Sequence, residues 1–311
     1  MNKPILRCLC LILPALLLGA CQNSPSRPGP PPSENGGPRP WFDGDYDNHE
    51  QVVLAAPAVV PRTHIDITPL SRPGWYSWSV AMSADAGFSA TWAMRSVKSV
   101  NGNIQLTPYR ALVEAPKLGA DFDPEQWVAL DACALNGVAT AAGLRVKADL
   151  ATCMILIPGI GASAALLPLE IEHDGEWLRV RFYADQARGP DARIEARRLR
   201  WFTGWAAING AGANAKLESN DWHMNRGMRI DNEGGRAPLN WRDGKPSGYT
   251  LSLERMTYRD GSVPVLKLSV IEDASGRSVV YAWANPEATR IGINLGWIQV
   301  GLEAESNAAA R

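Results

Sequence analysis

Four histidines, five cysteines and a net charge of −1 leave several kinds of chemistry short of material. A nearly neutral chain has no field with which to grip a polyanion, which argues against nucleic-acid binding. The histidines, at 49, 64, 173 and 223, are scattered, and no Cys/His spacing supports four zinc ligands. His-Glu-x-x-His, a Walker loop, a Gly-x-Ser-x-Gly elbow and a dinucleotide fingerprint after a strand are all missing. "GIGAS" (159–163) lacks the glycine that an elbow needs after Ser163. His173 falls in a predicted hairpin turn, where a histidine is ordinarily solvated. No catalytic residue, metal ligand or cofactor is assigned on these grounds.

Long apolar runs are also scarce. "CLCLILPALLL" (8–18) is shorter than the ~20 residues that span a bilayer, and it follows the basic Lys3 and Arg7. It ends in "LGAC", with Cys21 last. This arrangement resembles a bacterial lipoprotein signal, in which residues 1–20 are removed and Cys21 is lipidated. Each buried CH₂ of an acyl chain contributes ~0.8 kcal/mol, so several chains hold a protein firmly on a membrane. Gln22 stands where an Asp would resemble an inner-membrane retention signal, so the expected location is the cell envelope, at the outer membrane. Residues 21–40, rich in Pro, Gly and Ser, read as a disordered or polyproline-like tether. In that oxidising compartment Cys133 and Cys153 are the two thiols left, and a disulfide between them is expected, two buried free thiols being the alternative. Closing a loop of this size stabilises a fold by ~3 kcal/mol.

What the chain has in quantity is glycine (28), proline (23) and tryptophan (12). With alternating β-branched and aromatic residues these predict an all-β fold. Expected strands are 63–70, 74–82, 90–100, 103–113, 127–138, 144–157, 166–172 and 177–184, with hairpin signals at Asn101-Gly102 and at "HDGE" (173–176). Eight such strands close naturally into a barrel able to hold one small ligand. The expected organisation is an antiparallel barrel over 41–188 and a second β-rich lobe over 189–305, one larger barrel being the alternative. In the second lobe "INGAG" and "NEGG" read as loops.

"FDGDYDNHEQVV" (42–53) carries the densest set of possible ligands. Asp43, Asp45 and Asp47 open like a calcium loop, but Asn48 stands where the turn glycine belongs and Leu54 where the bidentate Glu belongs. A capping box reads better: Asp47 caps a short helix "NHEQVVLAA", Glu50 reaches back, Pro57 stops it, and the helix closes one end of the barrel.

This stretch, followed by "HIDITPL", "YSWSV", "AMRSV" and "NGNIQL…YRAL", resembles in order and spacing the CpcT/CpeT chromophore lyases, over roughly residues 41–184. The resemblance implies a lipocalin-like antiparallel barrel, and Cys133 and Cys153 resemble a cysteine pair of that family. It would also imply bilin attachment to phycobiliproteins. The family's Tyr-Arg-Gln-Arg strand, however, appears here as Trp92-Ala93-Met94-Arg95, where only Arg95 matches. The safer implication is a calyx for an amphipathic ligand. With the lipoprotein signal, the expected role is non-catalytic binding at the envelope, a lyase-like enzyme being the alternative.

Two sets of candidate binding residues remain. Trp78, Arg95 and one of Tyr109 and Arg110 could line one interior; the adjacent pair must face opposite sides of a strand. Arg95 beside aromatics suits a flat, acidic ligand, a surface arginine over a packed Trp being the alternative. The second set is Trp222 in "SNDWHMNRG" with Trp201, Trp205, Trp241, Trp283 and Trp297. Exposed tryptophans flanked by planar polar groups suit sugars or a protein partner, core packing being the alternative.

Overall fold

Alternating apolar and polar residues give each strand one buried and one wetted face, and here they build two successive meanders. The computed structural model describes residues 42–305, except 57–58, 84–87, 100, 115, 141–142, 189–191, 217–218 and 259–262. The signal segment, Cys21 and the tether lie outside the described residues, as does the proposed stop at Pro57.

The first meander contains β1 (Gly44–Asp47), β2 (Arg62–Pro69), β3 (Trp75–Ser83), β4 (Phe88–Lys98), β5 (Asn103–Ala111), β7 (Leu135–Thr140), β8 (Gly143–Ala148), β9 (Pro168–His173), β10 (Trp177–Phe182) and β11 (Ile194–Arg198). Each pairs antiparallel with its neighbour, and β1 pairs with β11, so ten strands close into a barrel. A short flap, β6 (Trp127–Ala129), hangs on the outer end of β5. Two strands join the eight expected. β1 lay hidden in the acidic stretch, and the sheet runs past residue 188 to take in β11.

The barrel's inside is packed. Trp78 and Trp92 sit directly opposite each other on β3 and β4, and both are fully buried with Phe42, Tyr46, Met94, Leu106 and Phe182. The two expected strands at 127–138 and 144–157 are each broken. Cys133 lies in a 3₁₀ turn between β6 and β7, and residues 150–156 form a helix, α2 (Leu150–Leu156). Asp149 caps α2 by accepting a hydrogen bond from the Ala151 N–H. An apolar run without alternation fits a helix as well as a strand, and the Asp149 cap was the deciding signal. Cys133 and Cys153 are joined in a disulfide that ties α2 to this turn.

The second meander is β12 (Trp201–Asn209), β13 (Trp222–Asp231), β14 (Glu233–Asn240), β15 (Pro246–Tyr258), β16 (Val263–Glu272), β17 (Arg277–Ala284), β18 (Arg290–Leu295) and β19 (Ile298–Ala304). It forms two four-stranded sheets, β13-β12-β19-β18 and β14-β15-β16-β17, around a separate core that includes Phe202, Leu251, Leu268, Ile293 and Val300. "NEGG" is not a loop. The chain turns at Asn232, which bonds the Arg200 backbone through its side chain and backbone, and Gly234 continues into β14 at φ +78°. Only glycine tolerates that angle easily, and a Cβ there would also strike the His49 ring.

Opening the disulfide by Cys133→Ser/Cys153→Ser should lower stability by about 3 kcal/mol, read from thermal or urea unfolding. Trp78→Ala should cost about 3–5 kcal/mol, because the facing Trp92 cannot collapse into the void.

Candidate functional site

The predicted binding residues do not converge. Trp78 is inside the barrel. Arg95, opposite Trp75 on the neighbouring strand, is exposed on the outer wall, its guanidinium 5.8 Å from the Trp75 ring centre. Tyr109 packs against Trp75 at 4.6 Å, within an outer cluster that also holds Phe122 and Trp127. Strand parity separates these residues, since Trp75 and Trp78 fall on opposite faces of β3. His173 is a second correction. The hairpin begins one residue later, at Asp174, so His173 ends β9 pointing inward. It is buried 3.2 Å from the Tyr46 hydroxyl, and burial, with Arg198 nearby, holds its pKa down to about 4.

The acidic stretch does not form the expected capping box. Helix α1 (His49–Ala55) begins after Asn48, without a side-chain cap. It lies beside β2, β11 and β14, and none of its residues joins the barrel core. Asp47 instead binds Arg62 at 3.1 Å and lies 3.7 Å from His64, which raises the His64 pKa. Asp45 accepts a hydrogen bond from the Trp201 indole at 2.8 Å and faces Asp66 across the β1–β2 pair. Burial and this carboxylate neighbour push Asp66 up to about 6. His49 reaches Glu254 at 3.5 Å, and this contact leads the effects that hold Glu254 down to about 2. Among the described residues no three His, Cys, Asp or Glu side chains converge as a metal site would require.

These side chains belong to a buried seam between barrel and sandwich. Its centre is Arg197, which meets Glu50 of α1, Glu233 of β14 at 2.9 Å and Glu176 at 3.3 Å. The guanidinium also lies 4.3 Å from the Trp177 ring centre. Glu233 is fully buried, and that burial pushes its pKa up to about 7 despite the arginine beside it. Arg62 donates to the Glu233 carbonyl at 2.7 Å, and Glu50 also accepts from Thr257. Nothing in "ARIEARR" or "NEGG" announced this pairing, because the partners are distant in sequence.

A different kind of surface lies on the outer face of the sheet β13-β12-β19-β18. Trp205 of β12 is more than a third exposed, opposite Gly301 on β19. A Cβ on Gly301 would lie 3.1–3.4 Å from the Trp205 indole, so the ring rests directly on the glycine. Gly204 and Gly292 extend this floor, and a Cβ on either would collide with a neighbouring carbonyl oxygen. The result is an open groove of about 560 Å³, edged by Thr203 and the Arg290–Glu303 ion pair, 3.0 Å apart. Exposed Arg226 pairs with Trp205 in register on β13. Alternation along β13 puts half-buried Trp222 on the same face as exposed Met224. Sequence reading named Trp205 and Trp222 but missed the glycine floor, whose residues lie on three strands.

Glu233 gives a test by pH. Its folded pKa is raised above the unfolded value, so the folded state holds the proton more tightly. The stability this confers is fully present below about pH 4.5 and is lost as pH rises through about 7. Melting curves from pH 4.5 to 8.5 should therefore show wild type losing stability relative to Glu233→Gln as pH rises. Arg197→Ala should cost about 3–5 kcal/mol, since it strands buried carboxylates.

Searched against models of protein families, against curated proteins and against solved structures, the chain matches none of them.

Proposed function

We propose that this chain is a non-catalytic binding protein of the cell envelope, and that it recognises saccharide chains on the outer face of its sandwich. The observation carrying this reading is Trp205, an exposed indole in contact with a glycine floor in a groove with a polar rim. A flat aromatic ring covers the apolar face of a pyranose, while Arg, Glu and Thr at the rim meet its hydroxyls. The groove is open, which suits a chain bound along its length. Trp222 and Met224 continue the same face and would extend the contact.

The packed barrel interior weighs against a calyx for an amphipathic ligand, because Trp78 and Trp92 occupy the space such a ligand would need. The barrel is read as the scaffold that carries the sandwich, and Cys21 as the anchor. The reading assigns no reaction.

The test is glycan-array binding followed by titration calorimetry with the best hit. Trp205→Ala should weaken binding about tenfold or more with an unchanged melting temperature, and Trp222→Ala should weaken it less. Gly301→Val, which lifts the indole from its floor while keeping it, should act like Trp205→Ala. Failure of the wild-type chain to bind any envelope or extracellular glycan would sink the reading.

A further inference from the structure

The disulfide-tied excursion from β8 to β9 is apolar in a way its packing does not require. From Leu150 to Leu169 the sequence has no Asp, Glu, Lys, Arg or His, in a chain where one residue in five is charged. The inward side of α2 and the turns after it bury Cys153, Ile157, Ala164 and Leu166 in the barrel core. Surface helices usually oppose such a stripe with charged or polar residues. Here the outward side is Met154, Ile155 and Leu156, followed by Pro158. Ile155 is 78% exposed, and Met154 and Leu156 are each about two-fifths exposed. Contiguous exposed apolar side chains of this kind mark a surface that meets something.

We propose that this tip dips into the lipid surface on which the chain is anchored. The proposal rests on the envelope-anchored reading given above and extends it to a second membrane contact. Three observations favour lipid over a protein partner. First, the patch offers almost no directional polar group. The Thr152 hydroxyl of α2 is already bonded to the Ala132 and Asp149 carbonyls, whereas protein interfaces carry about one hydrogen bond per 100–200 Å². Second, α2 has seven residues, roughly 10 Å of helix against a ~30 Å hydrocarbon core, so it can enter the interface without crossing. Among the described residues no helix is long and apolar enough to cross a membrane. Third, the chain outside the described residues is long enough. Residues 22–41 number twenty, and a chain of that length can span at most about 70 Å, while the eleven-residue β4, the longest barrel strand, is about 36 Å long. An anchored chain can therefore turn either end of its barrel to the membrane. The disulfide at Cys153 holds α2 firmly, as an inserted tip would need.

The experiment uses the acylated full chain in vesicles of phosphatidylethanolamine and phosphatidylglycerol. A polarity-sensitive fluorophore is attached, without reductant, to Ile155→Cys on the tip or to Val279→Cys on β17 of the sandwich. Nitroxide-labelled lipids should quench the probe at 155 at least twofold more than the probe at 279. The mass of the N-terminal peptide reports acylation of Cys21 independently. An acylated chain with equally weak quenching at both positions would overturn the tip proposal and leave the anchor standing. A Cys21 of unmodified mass would remove the anchor, and the proposal with it. A tip probe that shifts to the blue in native envelope fractions, yet stays unquenched in the lipid vesicles, would assign the patch to a protein partner and overturn the proposal.

Discussion

The most deeply buried ion pair of the seam between the two halves of the described chain is that of Arg197 with Glu233. Arg197 leaves the last barrel strand, and the carboxylates that meet it come from α1, from the β9–β10 turn and from the start of β14. Moving such a cation out of water costs more than any one carboxylate returns, so several partners are needed to balance it. The same need accounts for the arrangement around it. Arg62 is drawn to the Glu233 carbonyl, and α1 is laid on the outer wall so that Glu50 can reach inward. Gly234 then has to be a glycine, because His49 of that helix occupies the space where a side chain would stand.

The seam leaves the outer surfaces of both halves free to diverge in character. The barrel packs Tyr46, Trp78, Trp92 and Phe182 inside and gathers Trp75, Tyr109, Phe122 and Trp127 in a smaller cluster on its outer wall. The sandwich has an aliphatic core and carries Trp205, Tyr281 and Trp283 on its outer surfaces. Tyr281 and Trp283 stack on each other with ring centres 5.3 Å apart, so part of each ring's face is already covered. Trp205 rests on Gly301 and stays more than a third exposed. Burial class alone would treat these tryptophans alike; what lies beneath each ring separates them.

The all-β class and most strands were legible because period-two alternation is a local signal, carried within each segment. β1 was not, because four residues paired on both sides with distant strands look like any polar turn. α2 was not, because an apolar run has no period to read and a lone Asp149 before it fits a strand end as well as a helix cap. The site was legible only as a list of tryptophans. Trp78 and Arg95 were grouped by residue type, and the sheet then put one inside and one outside. The Arg197–Glu233 pair and the floor under Trp205 depend on register between strands, and register is absent from any one stretch of sequence. The acidic cluster misled for the opposite reason. Its residues are close in sequence but point outward to different partners, Arg62, Trp201, Glu254 and Arg197.

Both meanders close by joining their first strand to their last, Tyr46 opposite Arg198 and Phe202 opposite Ala304. A chain emerging from its N-terminus therefore makes each opening strand long before its partner exists. Until β11 arrives, one edge of β1 and β10 stays unpaired, with the apolar interior open between them. Non-local closure of this kind is slow and leaves strand edges available to other chains. The first half reaches closure before the second begins, because β12 follows β11 almost at once. Synthesis order thus divides one long folding problem into two consecutive ones.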